Sequence, residues 1–440
     1  MKRTAIAKVA LCGFALARTL VAGPYSAGLD DPANPFDAPV PGFHGPDGEG
    51  LARLPDGSGG FRNARNYVNP LFLRWALAAS DYVRSDGGSQ FSAPALALGP
   101  VTGDNLDVVS LGDLSAAQLA ALLPKGRLTL HFTSAQAPEP LRDLPGADFV
   151  IFENAFVANA ATGGIFGDLA FVEVSSDGVN FARFPSVSLT ASATGAFGTI
   201  DPTNVFQLAG KHQNAGGESW GTPFDLTQLA THPLVVAGLV DLNAIRAVRL
   251  ADIPGNGSSL DEATPAPHPI YDAWLSAGSG GFDLEALGAI SVVLGFERWQ
   301  DAQALTGAGR GALADPDGDG VGHLLEYAFA MRPLAADVEL LPGVTLESGM
   351  LAISFRRDTR ATDLTYEVLA SSDLQQWDVI ARSTAGGPLT AVAPFTPLIE
   401  DTSESPIASL GVIRRQRVQA TTALGSTLPR FLSIRIVVQP

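Results

Sequence analysis

Residues 148–186 read DFVIFENAFVANAATGGIFGDLAFVEVSSDGVNFARFPS, and this stretch decides the fold because it holds the densest strand signal of the chain and its clearest turn. Phe149 to Phe152 is apolar at consecutive positions, which is typical of a strand covered on both faces. Two more strand-like runs, Phe171 to Ser175 and Val179 to Phe184, are joined through Asp177-Gly178, a dipeptide that supplies the positive φ angles of a tight hairpin. The stretch predicts antiparallel β structure.

Three acidic residues of this stretch have two interpretations. Glu153 ends the buried strand, Glu173 lies within the next one, and Asp177 lies in the hairpin turn. They can serve as ordinary turn and strand-end residues, or some of them can hold a structural cation. The sequence leaves both interpretations open.

The composition is that of a folded, turn-rich chain. It has 440 residues, of which 46% are hydrophobic, enough for large cores and for two or three domains. With 28 basic and 45 acidic residues the net charge is −17, which argues against nucleic acid as a partner. The 47 glycines and 31 prolines, without a long helical pattern, indicate a mostly β protein.

Residues 1–23 have the pattern of a secretory signal peptide. Lys2, Arg3 and Lys8 precede an apolar run from Val9 to Ala17 that is too short to span a membrane. No second run of spanning length follows, so we expect a secreted or cell-surface protein without a transmembrane segment. The single cysteine, Cys12, lies inside this segment, which excludes disulfides and thiolate metal sites from the mature chain.

A series of motifs resembles a family of exported bacterial proteins known only as "cell surface protein". The resemblance covers about residues 30–293 and is carried by NYVNP, LGPVTGDN, VVSLGDL, ADFVIFENAF, LAFVEVSSDGVNFARFPSVSLT, GTIDPTN, LAGKH, GTPFDL and GSGGFDLEALGAI. It implies a β-sandwich similar to the jelly rolls of carbohydrate-binding modules, which often bind calcium. An acidic residue beside the last strand of such jelly rolls commonly ligates the ion. By this resemblance Asp283 would be that residue, and with Glu153 it forms a possible second calcium site.

Five side chains lie in loops rich in glycine and proline, at residues 209–226 and 265–281. Loops on a rigid sandwich are where binding residues concentrate. Aromatic rings can stack on sugar faces, and a pair of imidazoles can bind a transition metal. The alternative is that the tryptophans plug the ends of the sandwich and the histidines are simply exposed. These candidate ligand-binding residues are His212, Trp220, His268, Tyr271 and Trp274.

A second unit begins near Phe296 and contains a calcium-loop pattern. Residues 315–326 read DPDGDGVGHLLE, with carboxylates at positions 1, 3 and 5, a glycine at 6, a backbone carbonyl at 7 and a glutamate at 12. The predicted calcium ligands are Asp315, Asp317, Asp319, Val321 and Glu326. The motif DPDGDG followed by LLEYA also resembles a tail module of exported proteins of Verrucomicrobia-like bacteria. A solvated acidic turn is the alternative.

Together these patterns predict a mostly β architecture: a jelly-roll-like β-sandwich at 24–294, a short helical connector with a calcium loop at 295–335, and a second, smaller β-sandwich at 336–440. We find no nucleophile elbow, no zinc-protease motif and no phosphate-binding loop. We therefore name no catalytic residue and expect a binding protein for a glycan or another surface ligand, with calcium as its cofactor. The alternatives are capture of a metal or metal-containing cofactor through His212 and His268, and a glycan hydrolase with paired carboxylates.

Overall fold

The structure is a computed structural model that describes residues 23–26, 37–133, 140–144, 146–275, 280–290, 295–303, 305–403, 412–424 and 428–439. The predicted signal peptide lies outside these residues, except for Gly23. Two units follow one another along the chain, here called the first unit (residues 23–290) and the second unit (residues 295–439).

The first unit is built from short antiparallel strands. They are β1 Val40–Pro41, β2 Phe43–His44, β3 Leu54–Pro55, β4 Phe61–Arg62, β5 Tyr67–Val68, β6 Arg74–Trp75, β7 Ala78–Val83, β8 Val109–Ser110, β9 Arg127–His131, β10 Phe149–Glu153, β11 Phe156–Asn159, β12 Gly164–Phe166, β13 Ala170–Ser175, β14 Ala182–Arg183, β15 Val187–Ser188, β16 Val205–Phe206, β17 Trp220–Phe224, β18 Ala247–Asp252, β19 Asn256–Leu260, β20 Pro269–Tyr271 and β21 Asp283–Ala289.

Two sheets of the first unit face each other across one core. The first sheet has the order β1-β17-β10-β21-β6, with β8 also paired to β21, and the second has the order β14-β13-β18-β9-β7. Phe149 and Leu287 of the first sheet share a hydrophobic cluster with Leu130, Val172 and Leu250 of the second. Burial of this shared apolar surface is the main force that holds the sheets together. The remaining strands form small ribbons: β2-β5, β3-β4, β11-β12, β15-β16 and β19-β20.

The predicted doubly covered strand is confirmed. Phe149 and Ile151 of β10 point into the core between the two sheets, whereas Val150 and Phe152 lie in a second apolar cluster on the opposite face. All five residues of β10 are buried. This explains why the run carries no polar alternation.

The predicted hairpin at Asp177-Gly178 is also confirmed, with a shorter second strand. Glu173 and Val174 pair with Arg183 and Ala182, and Gly178 has a φ of +77°. The Asp177 carboxylate accepts hydrogen bonds from the backbone amides of the next turn residues, at 2.8 Å each, so these residues belong to the turn and not to β14.

Helices are few and short. The α-helices are α1 Ala116–Ala120, α2 Pro233–Val236, α3 Phe296–Ala302 and α4 His323–Ala328, and single 3-10 turns occur at Pro94–Ala97, Pro202–Asn204, Leu226–Leu229, Leu242–Ala244, Gly307–Gly309 and Val338–Leu340. Ser115 caps α1, because its hydroxyl accepts from Gln118 N while the Gln118 side chain accepts from Ser115 N. None of the helices in the described ranges is both long and apolar enough to cross a bilayer.

The second unit has its own pair of sheets. Its strands are β22 Gly343–Glu347, β23 Met350–Asp358, β24 Leu364–Ser371, β25 Asp378–Thr384, β26 Thr390–Ala391, β27 Leu398–Ser403, β28 Ile413–Gln419 and β29 Phe431–Val438. They form the sheets β22-β23-β28-β27 and β26-β25-β24-β29. Phe355 and Tyr366 from these sheets share a core with Trp299 of α3 and Tyr327 of α4, so both helices are packed onto the sandwich.

The two units are joined by buried contacts. Val412 of the second unit lies in the apolar cluster that covers the outer face of β10. The buried Arg360 guanidinium binds Asp358 and also donates to the carbonyls of Leu71 and Ile290 in the first unit, at 2.8 and 3.0 Å. The prediction of a mostly β protein is confirmed, and the sheets are consistent with β-sandwiches; the jelly-roll topology stays a prediction.

Candidate functional site

The loop before α4 brings three carboxylates together. Asp315, Asp317 and Asp319 each offer an oxygen, and these oxygens all lie within 4.8 Å of one another. The turn is fixed by its own backbone: Asp315 accepts from the amides of Gly318 and Gly320 at 2.9 and 3.0 Å, and both glycines have positive φ angles of +75° and +90°. The arrangement could hold a metal ion.

Glu326 faces this loop from the first turns of α4. Its side chain is buried, and neither carboxylate oxygen has a hydrogen-bond partner among the residues that the structure describes. Burial, followed by the negative charges of Asp317, Asp319, Asp337 and Asp315, raises the pKa of Glu326 to about 8. A carboxylate in such a position is costly for the fold unless positive charge lies beside it.

His323 supplies little of that positive charge. Its Nε2 lies 3.8 Å from Glu326, its ring is buried, and burial lowers its pKa from the ordinary value. A neutral imidazole cannot offset the negative loop.

Asp337 also lies beside the loop, and the sequence pattern did not predict it. Its backbone amide donates to Asp319 Oδ2 at 3.4 Å, and its own Oδ2 accepts from Arg332 Nε at 3.2 Å. Its Oδ1 is buried and has no hydrogen-bond partner in the described part of the chain. Asp337 falls eleven positions beyond the end of the loop pattern, past a proline, so no spacing rule could have included it.

A second group that could hold a metal ion was not predicted. It consists of Asp143, Asp148 and Asp225 at one end of the first unit. Part of the hydrogen-bonding capacity of this group is already used by the backbone, since Asp148 accepts from the amides of Leu144 and Leu226 at 3.1 and 2.6 Å. These bonds are typical of carboxylates that stabilise turns.

Glu153 and Asp283, the predicted second pair, are brought together. Both line a cavity of about 220 Å³, and the charge of Asp283 contributes to the raised pKa of Glu153, after burial and Asp168. The backbone brings them close because Asn154 N donates to Asp283 O at 3.3 Å. Glu173 and Asp177 instead have structural roles, in ion pairs with Arg183 and Arg249 and in the hairpin turn.

The two predicted histidines make separate contacts. His212 is buried with Nε2 2.9 Å from Asp37 O, and burial together with the neighbouring Lys211 lowers its pKa well below the usual range. His268 Nδ1 lies 2.9 Å from Asp261 Oδ2. Neither imidazole belongs to a metal-capable group within the described ranges.

The three predicted aromatic residues are half-buried and held by the fold. Trp220 Nε1 donates to Glu218 at 2.9 Å, and Trp274 Nε1 donates to Leu114 O at 3.0 Å. Tyr271 lies in β20, where Gly257 packs against its ring. None of the three lines either of the cavities described here.

The larger cavity is a cleft of about 770 Å³ between the two units. The Arg332 guanidinium lies 4.9 Å from the centre of the Tyr67 ring, and the His44 ring meets that ring edge-on. The lining thus combines an aromatic ring with charged groups from both units, and these lining residues include His44, Glu49, Tyr67, Arg332, Glu339 and Arg415.

No protein-family model, curated protein or solved structure matches the chain.

Proposed function

We propose that the protein is a secreted or cell-surface binding protein for a glycan or another surface ligand, and that calcium bound at residues 315–326 stabilises its second unit. The interdomain cleft is the observation that supports the binding role. Export is proposed from the pattern of the first 23 residues alone.

Calcium fits the loop better than other common ions. All candidate ligands are oxygens, from Asp315, Asp317, Asp319, the Val321 carbonyl and Glu326, which favours a hard cation over one that prefers imidazole or thiolate. Calcium accepts six to eight oxygens in flexible geometry, whereas magnesium requires a near-ideal octahedron. A bound divalent ion would also remove the penalty of ionising the buried Glu326.

The cleft has the features of a site for a polar ligand. Its volume of about 770 Å³ lies within the range of small-molecule pockets. Charged side chains such as Glu49, Glu339 and Arg415 can bond to sugar hydroxyls, and the Tyr67 ring offers apolar surface. Because both units line it, a ligand there would bind only when the units hold their relative position.

The other two functions receive less support. Metal capture through His212 and His268 requires two imidazoles on one ion, but each of them is engaged with a different carbonyl or carboxylate. For a glycan hydrolase, the cleft offers carboxylates, yet no pair among them has a geometry that singles it out.

The calcium site is tested by the unfolding of the full chain with and without 10 mM calcium. For a dissociation constant of about 10⁻³ to 10⁻⁴ M, typical of extracellular modules, the free energy of unfolding should rise by about 1.4 to 2.7 kcal/mol. Glu326→Gln should abolish the calcium-dependent increase in the free energy of unfolding of the second unit. It should also abolish the protection by calcium against proteolysis between Leu305 and Pro333. Glu297→Gln, which changes an exposed carboxylate of α3, is the matched control and should respond like the unaltered chain. Equal calcium responses in both variants would refute the assignment.

Ligand binding is tested on a glycan array, with release of reducing sugar measured in parallel. Tyr67→Ala should weaken binding of any retained glycan at least tenfold, and Tyr271→Ala, outside the cleft, should leave it unchanged. The opposite result would move the site to the loops at 209–226 and 265–281. Release of reducing sugar would replace the binding role by hydrolysis.

A further inference from the structure

One wall of the cleft between the units is formed by the segment that carries the acidic loop. The loop at 315–326 lies within this segment, and Tyr67 lines the cleft from the first unit. Three contacts bring the loop against this wall. The lining residues that the segment contributes include Trp299, Met331, Arg332 and Asp337.

The first two contacts join the loop to Trp299 and Met331. The Trp299 ring is 4% exposed and meets the His323 ring edge-on, with 5.8 Å between the ring centres. His323 holds position 9 of the loop. At the end of α4, Met331 N donates to Glu326 O at 2.7 Å. A change in the position of the loop therefore moves two side chains that line the cleft.

The third contact runs through Asp337, which faces both the loop and the cleft. Its backbone amide donates to Asp319 Oδ2 at 3.4 Å. Its own Oδ2 accepts from the backbone N and the Nε of Arg332, at 3.1 and 3.2 Å. The Arg332 guanidinium in turn lies 4.9 Å from the centre of the Tyr67 ring. A continuous series of contacts thus connects a loop carboxylate, one wall of the cleft and the first unit.

This series of contacts is held against electrostatic repulsion. The Asp337 side chain is 1% exposed, so water screens its charge poorly. Its charge and those of the three loop aspartates act together on the buried Glu326. A cation in the loop would remove the repulsion between the loop and Asp337. It would thereby favour the arrangement in which Arg332 bonds to Asp337 and lies over Tyr67.

From these contacts we infer that calcium in the loop at 315–326 sets the position of the cleft wall that contains Arg332 and Asp337, so that binding in the cleft depends on calcium. The linkage rests on the calcium loop and the ligand cleft proposed above, and it makes the two a single coupled site. Asp337 is a positioning residue, since it connects the loop to Arg332. Because a coupling free energy is reciprocal, disturbing the Arg332 contact from the first unit must weaken calcium binding in the second.

Terbium, which luminesces when it is excited through a nearby tryptophan, reports on the loop in the full-length protein. Trp299 lies against His323 and is therefore close enough to act as the donor. The loop signal is the part of the emission that Glu326→Gln removes. Calcium affinity at the loop is then measured from the displacement of terbium by calcium.

The linkage is tested by a substitution in the first unit that changes no charge. Tyr67→Leu removes the ring beneath Arg332 and should weaken binding of both ions at the loop by about two- to fivefold, the size of one exposed cation–π contact. Phe61→Leu is the matched control, because the Phe61 ring lies 4.4 Å from the Arg53 guanidinium in a cation–π pair inside the first unit. It should leave the affinity of the loop unchanged.

Two further measurements keep the test decisive if Tyr67→Leu does not fold. Arg332→Lys keeps the positive charge beside Asp337 but lacks the planar guanidinium that stacks on a ring, so it should weaken the loop ion by a similar factor. In the unaltered chain, calcium should slow amide hydrogen exchange at Tyr67 and Val68, which form β5 of the first unit. Glu326→Gln should abolish this protection.

The cleft is tested with any glycan that the array retains, by comparing retention in calcium with retention in EDTA. Retention by the unaltered chain should fall at least about fivefold without calcium, and Glu326→Gln should retain equally little in both conditions. If the array retains no glycan, the binding role fails, and the terbium titration alone decides whether the loop and the cleft wall are coupled.

The outcomes separate the linkage from the proposals on which it rests. Equal loop affinities in Tyr67→Leu, Arg332→Lys and Phe61→Leu would overturn the linkage and leave the calcium loop in place. If Glu326→Gln binds terbium as the unaltered chain does, the loop is not the ion site, and the linkage falls with it.

Discussion

Arg360 joins the two units, and its replacement by methionine should uncouple them. Its guanidinium makes a bidentate pair with the buried Asp358, at 2.9 and 2.6 Å, and spans to the carbonyls of Leu71 and Ile290. Methionine keeps an apolar stem of similar length, so the change removes the charge and the donors with little loss of packing.

The expected loss of stability comes from the buried groups that lose their partner when Arg360 is replaced. An unpaired buried carboxylate at Asp358 costs about 3 to 5 kcal/mol, and each carbonyl without a donor costs about 1 to 3 kcal/mol unless water reaches it. Allowing for water at the carbonyls, we expect Arg360→Met to lower the free energy of unfolding by at least about 4 kcal/mol. Adding Asp358→Asn removes the stranded charge and should recover about half of that loss.

Denaturant unfolding followed by tryptophan fluorescence and circular dichroism measures this effect. The variant should show two separated transitions, since the units lose their shared polar contact. Arg417→Met is the control, because Arg417 is half-buried and pairs with the exposed carboxylates of Glu347 and Glu400 inside the second unit, where such ion pairs are worth about 0 to 1 kcal/mol. A loss for Arg360→Met within about 1 kcal/mol of the control would refute this account of the interface.

Two further substitutions probe the first unit. Gly210→Ala should lower the free energy of unfolding by at least about 3 kcal/mol, since Gly210 has a φ of +94° and an added Cβ would lie 2.1 Å from the Asp168 carbonyl oxygen. The control is Gly178→Ala, at a φ of +77° with open space around it, which should cost about 1 kcal/mol. Equal decreases in melting temperature for the two variants would contradict this difference. Lys211→Met should cost about 3 to 5 kcal/mol in denaturant unfolding, because the buried ammonium that bonds to Asp37 is lost; a change below 1 kcal/mol would show that this pair is not needed for stability.

Features encoded by neighbouring residues were predictable. The double burial of β10, the Asp177-Gly178 turn and the Ser115 cap all depend on residues a few positions apart, and each is present. The convergence of Asp315, Asp317 and Asp319 is local in the same sense. In these cases the spacing alone determines which side chains meet.

Features that depend on tertiary pairing were not predictable. Asp113, Asp168 and Asp252 are far apart in the chain, and the first and third act electrostatically on Asp168 only because β8, β13 and β18 take particular places in two sheets. His212 and Trp220 lie in a loop-like sequence, yet the first is buried and the second is half-buried. The hydrophobic periodicity of the sequence does not predict which glycine-rich segments are buried by the rest of the fold.

The position of β21 in its sheet has a consequence for how the chain is made. This strand is the last of the first unit in sequence, but it is paired with β10 on one side and with β6 and β8 on the other. During synthesis, which starts at the N-terminus, the strands on the two sides of β21 therefore stay unconnected until residue 289 has been made. These are β1, β17 and β10 on one side and β6 and β8 on the other. Closing the sheet late, across a loop on the order of 200 residues between residues 75 and 288, carries a large entropic cost and slows folding.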